Sequence, residues 1–135
     1  MITAATATIG VLMIFTVEQS YLPAVKAAAN KYNVPEALIL AHIKQESGYK
    51  PTAYRAEPAI NDASYGMMQL LLKTAQSLDC SATVEKLYDP TYNIDLGTKY
   101  IAQNMVRYPN NIKAAIASYN AGSAYTDENG EYISK

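Results

Sequence analysis

Apolar residues recur with helical spacing in several short segments, and turn-forming residues separate these segments. In the first of them, Leu22, Val25 and Ala29 fall on one face of a helix. Ser20 is a suitable N-cap for this helix, which we predict to end near Lys31. No repeat, low-complexity tract or Gly/Ser linker divides the chain of 135 residues. The pattern therefore predicts one mainly α-helical domain.

The second apolar segment leads directly to an acidic residue. Pro35 suits a first helical turn, where its missing N–H costs nothing, and Gly48 is placed to end the helix as a C-cap glycine. Glu46 then falls in the last turn, where both the negative end of the helix dipole and burial disfavour its charge. We therefore predict a raised pKa for Glu46, which would suit a general acid.

The rest of the chain predicts further helices joined by loops. Residues 50–65 are rich in Pro, Ala, Asn, Asp and Ser without helical periodicity, which indicates an irregular loop. Residues 126–132 are polar and predict a turn or hairpin. Three further helices are expected at 67–78, at 92–107 after Asp89-Pro90, and at 112–119 after the cap Asn111.

Composition narrows the range of functions. Only 17% of the residues are charged and the formal net charge is -1, so we expect no nucleic-acid partner. The chain has one cysteine, Cys80, and one histidine, His42, which excludes an internal disulfide and leaves the ligand set of a structural zinc site incomplete. We expect no metal or cofactor, a buried or half-buried Cys80, and a core or boundary His42.

Residues 1–19 form an apolar segment whose role the sequence leaves open. The segment suggests an export signal, but no Lys or Arg precedes Lys26, and the run is short for a bilayer span. Three interpretations remain: a weakly hydrophobic signal-anchor, a segment that packs on a partner, and an ordinary N-terminal strand or helix of the domain. We accordingly divide the chain into residues 1–19 and a domain at 20–135.

Four separated motifs carry a resemblance to a known family. They are Glu46-Ser47-x-Tyr49-x-Pro51-x-Ala53, Gly66-Met67-Met68-Gln69-Leu70, Asn93-Ile94 with Gly97 and Tyr100, and Ala117-Ser118-Tyr119-Asn120-Ala121-Gly122. In order and spacing they resemble the lytic transglycosylase domain of the soluble, goose-lysozyme-like superfamily, over roughly residues 20–123. The resemblance implies a lysozyme-like small helical domain in which the irregular loop lines a cleft for peptidoglycan glycan strands.

The resemblance also implies roles for individual residues. Glu46 would be the single catalytic acid and base. The substrate-binding residues that it implies are Ser47, Tyr49, Met68, Gln69, Asn93, Tyr119 and Asn120. Met68 would pack on a sugar, and Gln69 would hydrogen-bond the substrate or fix the loop. Tyr119 would stand close to Glu46, and Ser47 would help to hold the site.

The reaction that the family catalyses fits a site with one acid. Cleaving a β-1,4 link between N-acetylmuramic acid and N-acetylglucosamine requires proton donation to the bridging oxygen, and ordinary glycosidases add a second carboxylate. No second acid lies in a matching motif here. The resemblance implies that Glu46, once ionised, deprotonates the C6 hydroxyl of muramic acid, which attacks C1 and leaves a 1,6-anhydro end.

Two alternatives remain open. One is a goose-type lysozyme, for which Asp62 is the only candidate to position an attacking water, although its setting in Asn61-Asp62-Ala63-Ser64 is typical of a turn. The other is a non-catalytic glycan-binding or virion structural module. The intact Glu46 argues against this module, and the absence of a match to the family's further C-terminal helix argues for it.

The biological setting follows from the substrate that the resemblance implies. Such an enzyme acts on peptidoglycan in the periplasm or cell wall, as an exported or virion-associated protein. We favour a phage-encoded protein, in which residues 1–19 would associate with a membrane or a virion.

Overall fold

The structure is a computed structural model that describes residues 4–122 and 125–133. Within these residues the chain forms six α-helices, five short strands and one 3-10 helix, Pro58–Ile60. The helices are α1 Ala4–Tyr32, α2 Glu36–Ser47, α3 Leu72–Leu78, α4 Val84–Leu87, α5 Pro90–Arg107 and α6 Ile112–Ala121. The strands are β1 Tyr54–Glu57, β2 Asp62–Tyr65, β3 Leu70–Leu71, β4 Tyr125–Thr126 and β5 Tyr132–Ile133. The predicted mainly α class is confirmed, as is the hairpin near residues 126–132.

The central helix of the fold is α5, which packs against both α1 and α6. Its first turn is fixed by Asp89, whose side chain accepts a hydrogen bond from the backbone N–H of Tyr92, with Pro90 in the first helical position. Asp95 ties α5 to the end of α1, because its carboxylate accepts hydrogen bonds from Lys31 Nζ and Tyr32 Oη, both at 3.0 Å. The core therefore forms along the length of α5.

The first helix differs from its prediction. It runs without a break through Ser20 and Pro23, so Ser20 is not its N-cap and the division of the chain at residue 19 falls inside a helix. A proline inside a helix removes one N–H donor, and its ring crowds the carbonyl four residues earlier. Val25 and Ala28, which follow Pro23, are buried in the core, and this packing favours the continuous helix. Helix α1 ends close to the predicted position.

The helix that carries Glu46 ends as its sequence predicts. Gly48 has a φ of 58°, in the left-handed region, and its N–H donates to Lys44 O at 3.1 Å. A Cβ built at Gly48 would meet no atom within 4 Å, so the backbone conformation rather than space demands glycine there. This left-handed cap ends α2 at Ser47 and leaves Glu46 in its last turn.

The segment predicted as an irregular loop is instead an antiparallel hairpin. Strands β1 and β2 pair with Arg55 opposite Ser64 and with Glu57 opposite Asp62, and β3 adds a third strand beside β2. Asn61, with a φ of 49°, turns the chain between the strands. Each strand is too short and too polar to show an alternating pattern, so pairing across the hairpin decides the structure.

Two smaller predictions are also corrected, and one short helix was missed. The helix expected at 67–78 begins only at Leu72, because Gly66–Gln69 form a turn in which Gln69 N donates to Gly66 O. The short helix α4 was not predicted, although Thr83 caps it by accepting a hydrogen bond from Lys86 N. Cys80 is exposed rather than buried.

Candidate active site

One cleft of about 580 Å³ lies where α2, the hairpin and α6 come together. Glu46 lies at one side of it, at the end of α2. The remaining lining residues are Arg55, Glu57, Ala59, Ile60, Ser64, Gln69, Leu70, Leu71, Thr74, Tyr100, Tyr119, Asn120, Ala121 and Gly122. Of the predicted site residues, the structure therefore brings Glu46, Gln69, Tyr119 and Asn120 together in the cleft.

Glu46 is half-buried, and burial raises the pKa of its carboxyl group. The charge of Arg55 acts in the opposite direction and lowers this pKa, but burial is the larger effect. Within the described part of the chain, no hydrogen bond holds the Glu46 carboxylate. The carboxyl group is thus free to exchange a proton with a molecule in the cleft, and its predicted raised pKa is confirmed.

Ser47 fastens the end of α2 to the turn before β3. Its Oγ donates a hydrogen bond to Met67 O at 2.7 Å and accepts one from Lys50 N at 3.3 Å. Ser47 does not line the cleft. It therefore acts on the site through the backbone, by fixing where Glu46 stands.

Gln69 fixes the hairpin from inside the cleft. Its Nε2 donates to Ala53 O at 3.0 Å and to Gly66 O at 2.9 Å, while its Oε1 accepts from Ser64 Oγ at 3.1 Å. Both N–H groups of the amide bond backbone carbonyls. Of the two roles that the sequence suggested for Gln69, binding the substrate and fixing the loop, the geometry therefore favours the second. The backbone of Gln69 has a φ of 47°, which is uncommon for a residue other than glycine.

Asn93 is fully buried and holds three backbone segments together. Its Oδ1 accepts from Met68 N at 2.8 Å, and its Nδ2 donates to Tyr65 O and Leu87 O, each at 2.9 Å. The side chain does not reach the cleft. Asn93 consequently supports the surroundings of Glu46 instead of contacting a ligand.

Two residues expected to touch substrate face the core. Met68 is fully buried, and a Cβ built at Gly97 would come within 2.5 Å of its Sδ. Tyr49 is also buried, and its hydroxyl donates to Leu40 O at 3.3 Å. Neither lines the cleft, so the packing of Met68 on a sugar is not supported. The motif gave their positions along the chain but not the direction of their side chains.

Tyr119 closes the cleft beside Glu46 with an almost buried ring. The ring centroid lies 4.6 Å from that of His42 and 5.1 Å from that of Tyr100. Burial, together with the charge of Glu46, raises the pKa of Tyr119 well above its usual value, and burial lowers that of His42 to about 4. The surroundings of Glu46 therefore include an un-ionised phenol and an uncharged imidazole, and the expected core role of His42 is confirmed.

Asp62 holds the hairpin to α3. Its Oδ1 accepts from Ala63 N at 2.8 Å and its Oδ2 from Lys73 N at 3.1 Å. Asp62 is not among the residues that line the cleft. The lysozyme alternative requires Asp62 to position a water. Both of its carboxylate oxygens instead accept hydrogen bonds from backbone N–H groups.

The sequence did not reveal Arg55 and Glu57 as cleft residues. Both lie on β1 at a spacing of two, and Arg55 Nε donates to Glu57 Oε1 at 2.6 Å in an ion pair. Two residues that are two positions apart on a strand lie on the same face of the sheet. This rule could have paired Arg55 with Glu57, but it applies only to strands, and the segment was expected to be a loop. Glu57 adds a second carboxylate to the cleft.

Neither a metal-ligand cluster nor a membrane-spanning helix is found in the described residues. Among the residues that the structure describes, no three His, Cys, Asp or Glu side chains come together as metal ligands would. No helix in the described part of the chain has the length and apolar character needed to cross a membrane.

The chain is similar in sequence to one known protein family and to several known proteins. The sequence model of the family described as the transglycosylase SLT domain matches residues 23–134. Membrane-bound lytic murein transglycosylase C from Yersinia enterocolitica is 34% identical over 117 residues, which span 76% of this chain and 31% of the relative. The protein of that name from Shigella sonnei is 36% identical over 117 residues, which again span 76% of this chain and 31% of the relative. The chain therefore spans about a third of the length of these relatives.

A solved structure has the same fold. DslA, in its wild-type form 2, superimposes with a TM-score of 0.59 and 13% sequence identity, over 86% of this chain and 75% of that one. The predicted mainly α, lysozyme-like domain is confirmed.

Proposed function

The chain belongs to the transglycosylase SLT domain family, and from this membership we propose that it is a peptidoglycan lytic transglycosylase. It cleaves the β-1,4 link between N-acetylmuramic acid and N-acetylglucosamine and leaves a 1,6-anhydromuramic end. One observation carries the proposal: Glu46 stands in a 580 Å³ cleft, half-buried, with a raised pKa and without a hydrogen bond from any described residue to its carboxylate. The names of the relatives point to the same reaction.

In the first step Glu46 acts as a general acid. Its proton passes to the bridging oxygen, the bond from C1 of muramic acid to that oxygen breaks, and the N-acetylglucosamine side leaves as an alcohol. Positive charge develops on the muramic ring while Glu46 becomes a carboxylate. Burial raises the pKa of Glu46, so more of the acid starts protonated near neutral pH than would be true of an exposed glutamate.

In the second step the ionised Glu46 acts as a general base. It takes the proton from the C6 hydroxyl of the same muramic acid, and O6 bonds to C1. The acid is thereby regenerated and no water is consumed. Because the nucleophile belongs to the bound sugar, proximity replaces the water that a second carboxylate would otherwise position.

Residues in and around the cleft support this chemistry by restricting movement and charge. Tyr119 offers a flat, un-ionised ring beside Glu46, and Ser47 fixes the end of α2. Asn120, at the exposed rim, is the remaining residue proposed to contact glycan. Asn93 and Gln69 hold the segments around the acid. We propose positioning roles for Tyr119, Ser47, Asn93 and Gln69, with Glu46 as the residue that exchanges protons.

Hydrolysis is the competing outcome for the same cleft. Asp62 bonds two backbone N–H groups outside the cleft, which favours the transglycosylase over a lysozyme that depends on Asp62. Glu57 is the other carboxylate in the cleft, and its Oε1 is engaged by Arg55. Product analysis separates the two reactions, because hydrolysis leaves a reducing muramic end.

The place of action follows from the proposed substrate. Peptidoglycan lies outside the cytoplasmic membrane, so the protein acts in the periplasm or cell wall. We propose that residues 1–19 serve attachment to a membrane, as the name of the relatives suggests for those proteins, or to a virion. A domain boundary at residue 19 would lie within α1.

The test is digestion of purified peptidoglycan by the wild-type protein and by Glu46→Gln, followed by mass spectrometry of the soluble products. The proposal expects 1,6-anhydromuramic ends from the wild-type protein and at least a roughly thousandfold slower release from the variant, which keeps the shape but loses the titratable proton. Reducing ends from the wild-type protein, or full activity of Glu46→Gln, would contradict it.

A further inference from the structure

Arg55 is the only cationic side chain among the described residues that line the cleft. The catalytic proposal above gives it no task. It is close enough to Glu46 for its charge to act on that carboxyl group. A cation placed beside a sugar-cleaving acid needs an explanation, because it opposes the effect of burial on Glu46.

The guanidinium is held along one edge and open along the other. Nε donates to Glu57 Oε1 at 2.6 Å, and neither terminal nitrogen hydrogen-bonds to any described residue. The side chain of Arg55 is 67% exposed and that of Glu57 is 32% exposed. Four N–H donors on the terminal nitrogens therefore remain for a ligand, in the planar arrangement that matches a carboxylate.

The backbone beneath Arg55 is fixed. Arg55 stands opposite Ser64 in the β1–β2 register, and Ser64 Oγ lies 3.5 Å from Arg55 O and 3.1 Å from Gln69 Oε1. Gln69 in turn donates to Ala53 O, two residues before Arg55. A strand secured in this way can present a charged group at a constant position relative to Glu46, as a recognition residue requires.

We propose that Arg55 recognises a carboxylate carried by the muramic acid of the bound glycan, with Glu57 orienting the guanidinium. The inference rests on the proposed function. Two sources supply the same chemistry: the lactyl group, which ends in a free carboxylate where the strand carries no peptide, and the stem peptide, which has carboxylates of its own. N-acetylglucosamine carries no such group, so Arg55 distinguishes peptidoglycan from chitin.

The choice of carboxylate follows from the geometry of the pair. Glu57 occupies the Nε edge of the Arg55 guanidinium. The edge formed by the two terminal nitrogens stays free, and a carboxylate can accept two parallel N–H···O bonds there. Lysine could offer only a point charge at this position. A bidentate contact that is partly screened by solvent is expected to contribute about tenfold in affinity.

The test measures glycan binding by the Glu46→Gln protein, which holds substrate without cleaving it. Isothermal titration calorimetry compares four ligands: a chitin hexasaccharide, peptide-free peptidoglycan strands, the same strands with their carboxylates converted to methylamides, and strands that carry stem peptides. Each ligand is titrated into Glu46→Gln alone and into Glu46→Gln combined with Arg55→Gln, Arg55→Lys or Glu57→Gln. Thermal unfolding checks that each variant is folded.

The proposal expects about tenfold tighter binding of a carboxylate-bearing strand than of its methylamide, lost in Arg55→Gln and only partly retained in Arg55→Lys. Preference for peptide-free strands assigns the lactyl carboxylate, and preference confined to peptide-bearing strands assigns the stem. Chitin binding should be equal in all the Arg55 variants. Equal binding of all ligands by all variants overturns this inference and leaves the proposed function intact. Failure to bind any glycan overturns both.

Discussion

The hydroxyl of Tyr119 donates a hydrogen bond of 2.8 Å to the backbone carbonyl of Met68. This contact joins α6 to the turn that precedes β3, two parts of the chain separated by 51 residues. Because the phenol proton is used in this way, we expect Tyr119 to position the cleft wall and to take no part in proton transfer with Glu46.

Replacing Tyr119 with Phe should therefore affect stability more than catalysis. The change leaves the buried carbonyl of Met68 without its donor, which should lower the free energy of unfolding by about 1 to 3 kcal/mol. We expect kcat to fall less than about tenfold, since the ring remains. Chemical unfolding and steady-state kinetics measure the two effects. A loss of kcat above a hundredfold with unchanged stability would instead show a catalytic hydroxyl.

Asn93→Ala should be among the most destabilising changes in the chain. It removes the side chain that bonds Met68 N, Tyr65 O and Leu87 O in a fully buried position. Unfolding in urea should show a loss of about 3 kcal/mol or more, because three backbone groups lose their partner together. The matched control is Gln103→Ala, an exposed position on the same helix, where the expected change is within about 0.5 kcal/mol. Equal effects of the two substitutions would contradict the role of Asn93.

Gly97→Ala tests the packing of α5 beneath the site. The new Cβ would lie 2.5 Å from Met68 Sδ and 2.9 Å from Met68 Cβ, so the buried methionine must shift. We expect a destabilisation of about 1 to 3 kcal/mol by thermal unfolding.

A double-mutant cycle with Met68→Ala serves as its control. Alanine at position 68 removes the contacts to Sδ and Cε and leaves only that to Cβ at 2.9 Å, so most of the clash is relieved, and the added methyl group fills part of the resulting cavity. The double variant should lose less stability than the sum of the two single losses. Strict additivity would indicate that the two residues do not contact each other.

Arg55→Gln should shift the pH dependence of the reaction. The charge of Arg55 lowers the pKa of Glu46, so its removal raises that pKa. Because the first step needs protonated Glu46, the alkaline limb of the pH profile of kcat/KM should move to higher pH. This parameter reports on the free enzyme, in which no substrate carboxylate screens the charge of Arg55. Arg55→Lys should keep the limb near its wild-type position. A shift to lower pH in Arg55→Gln would reverse the sign of the proposed electrostatic effect.

Features decided by neighbouring residues could be predicted from the sequence. The left-handed cap at Gly48 and the N-cap Asn111 each depend on a few adjacent positions, and both were predicted correctly. Glu46 was placed in the last turn of α2 for the same reason. Its raised pKa followed from that position and from the apolar residues around it.

Features decided by distant contacts could not be predicted in this way. The hairpin depends on pairing between two four-residue strands, and the Arg55–Glu57 ion pair depends on the hairpin. Met68 and Tyr49 belong to the right motifs but turn towards the core, because packing around Gly97 and α2 decides their direction. A motif gives the order of residues along the chain, whereas tertiary packing decides which side chains reach the cleft.

We propose that the nucleophile is the C6 hydroxyl of the bound muramic acid, deprotonated by Glu46, and not water. Digestion of purified peptidoglycan in water enriched in ¹⁸O, followed by mass spectrometry of the released fragments, distinguishes the two nucleophiles. We expect 1,6-anhydromuramic ends that contain no ¹⁸O, from the wild-type protein and equally from Asp62→Asn. Reducing muramic ends that carry ¹⁸O at C1 would show hydrolysis and contradict this proposal.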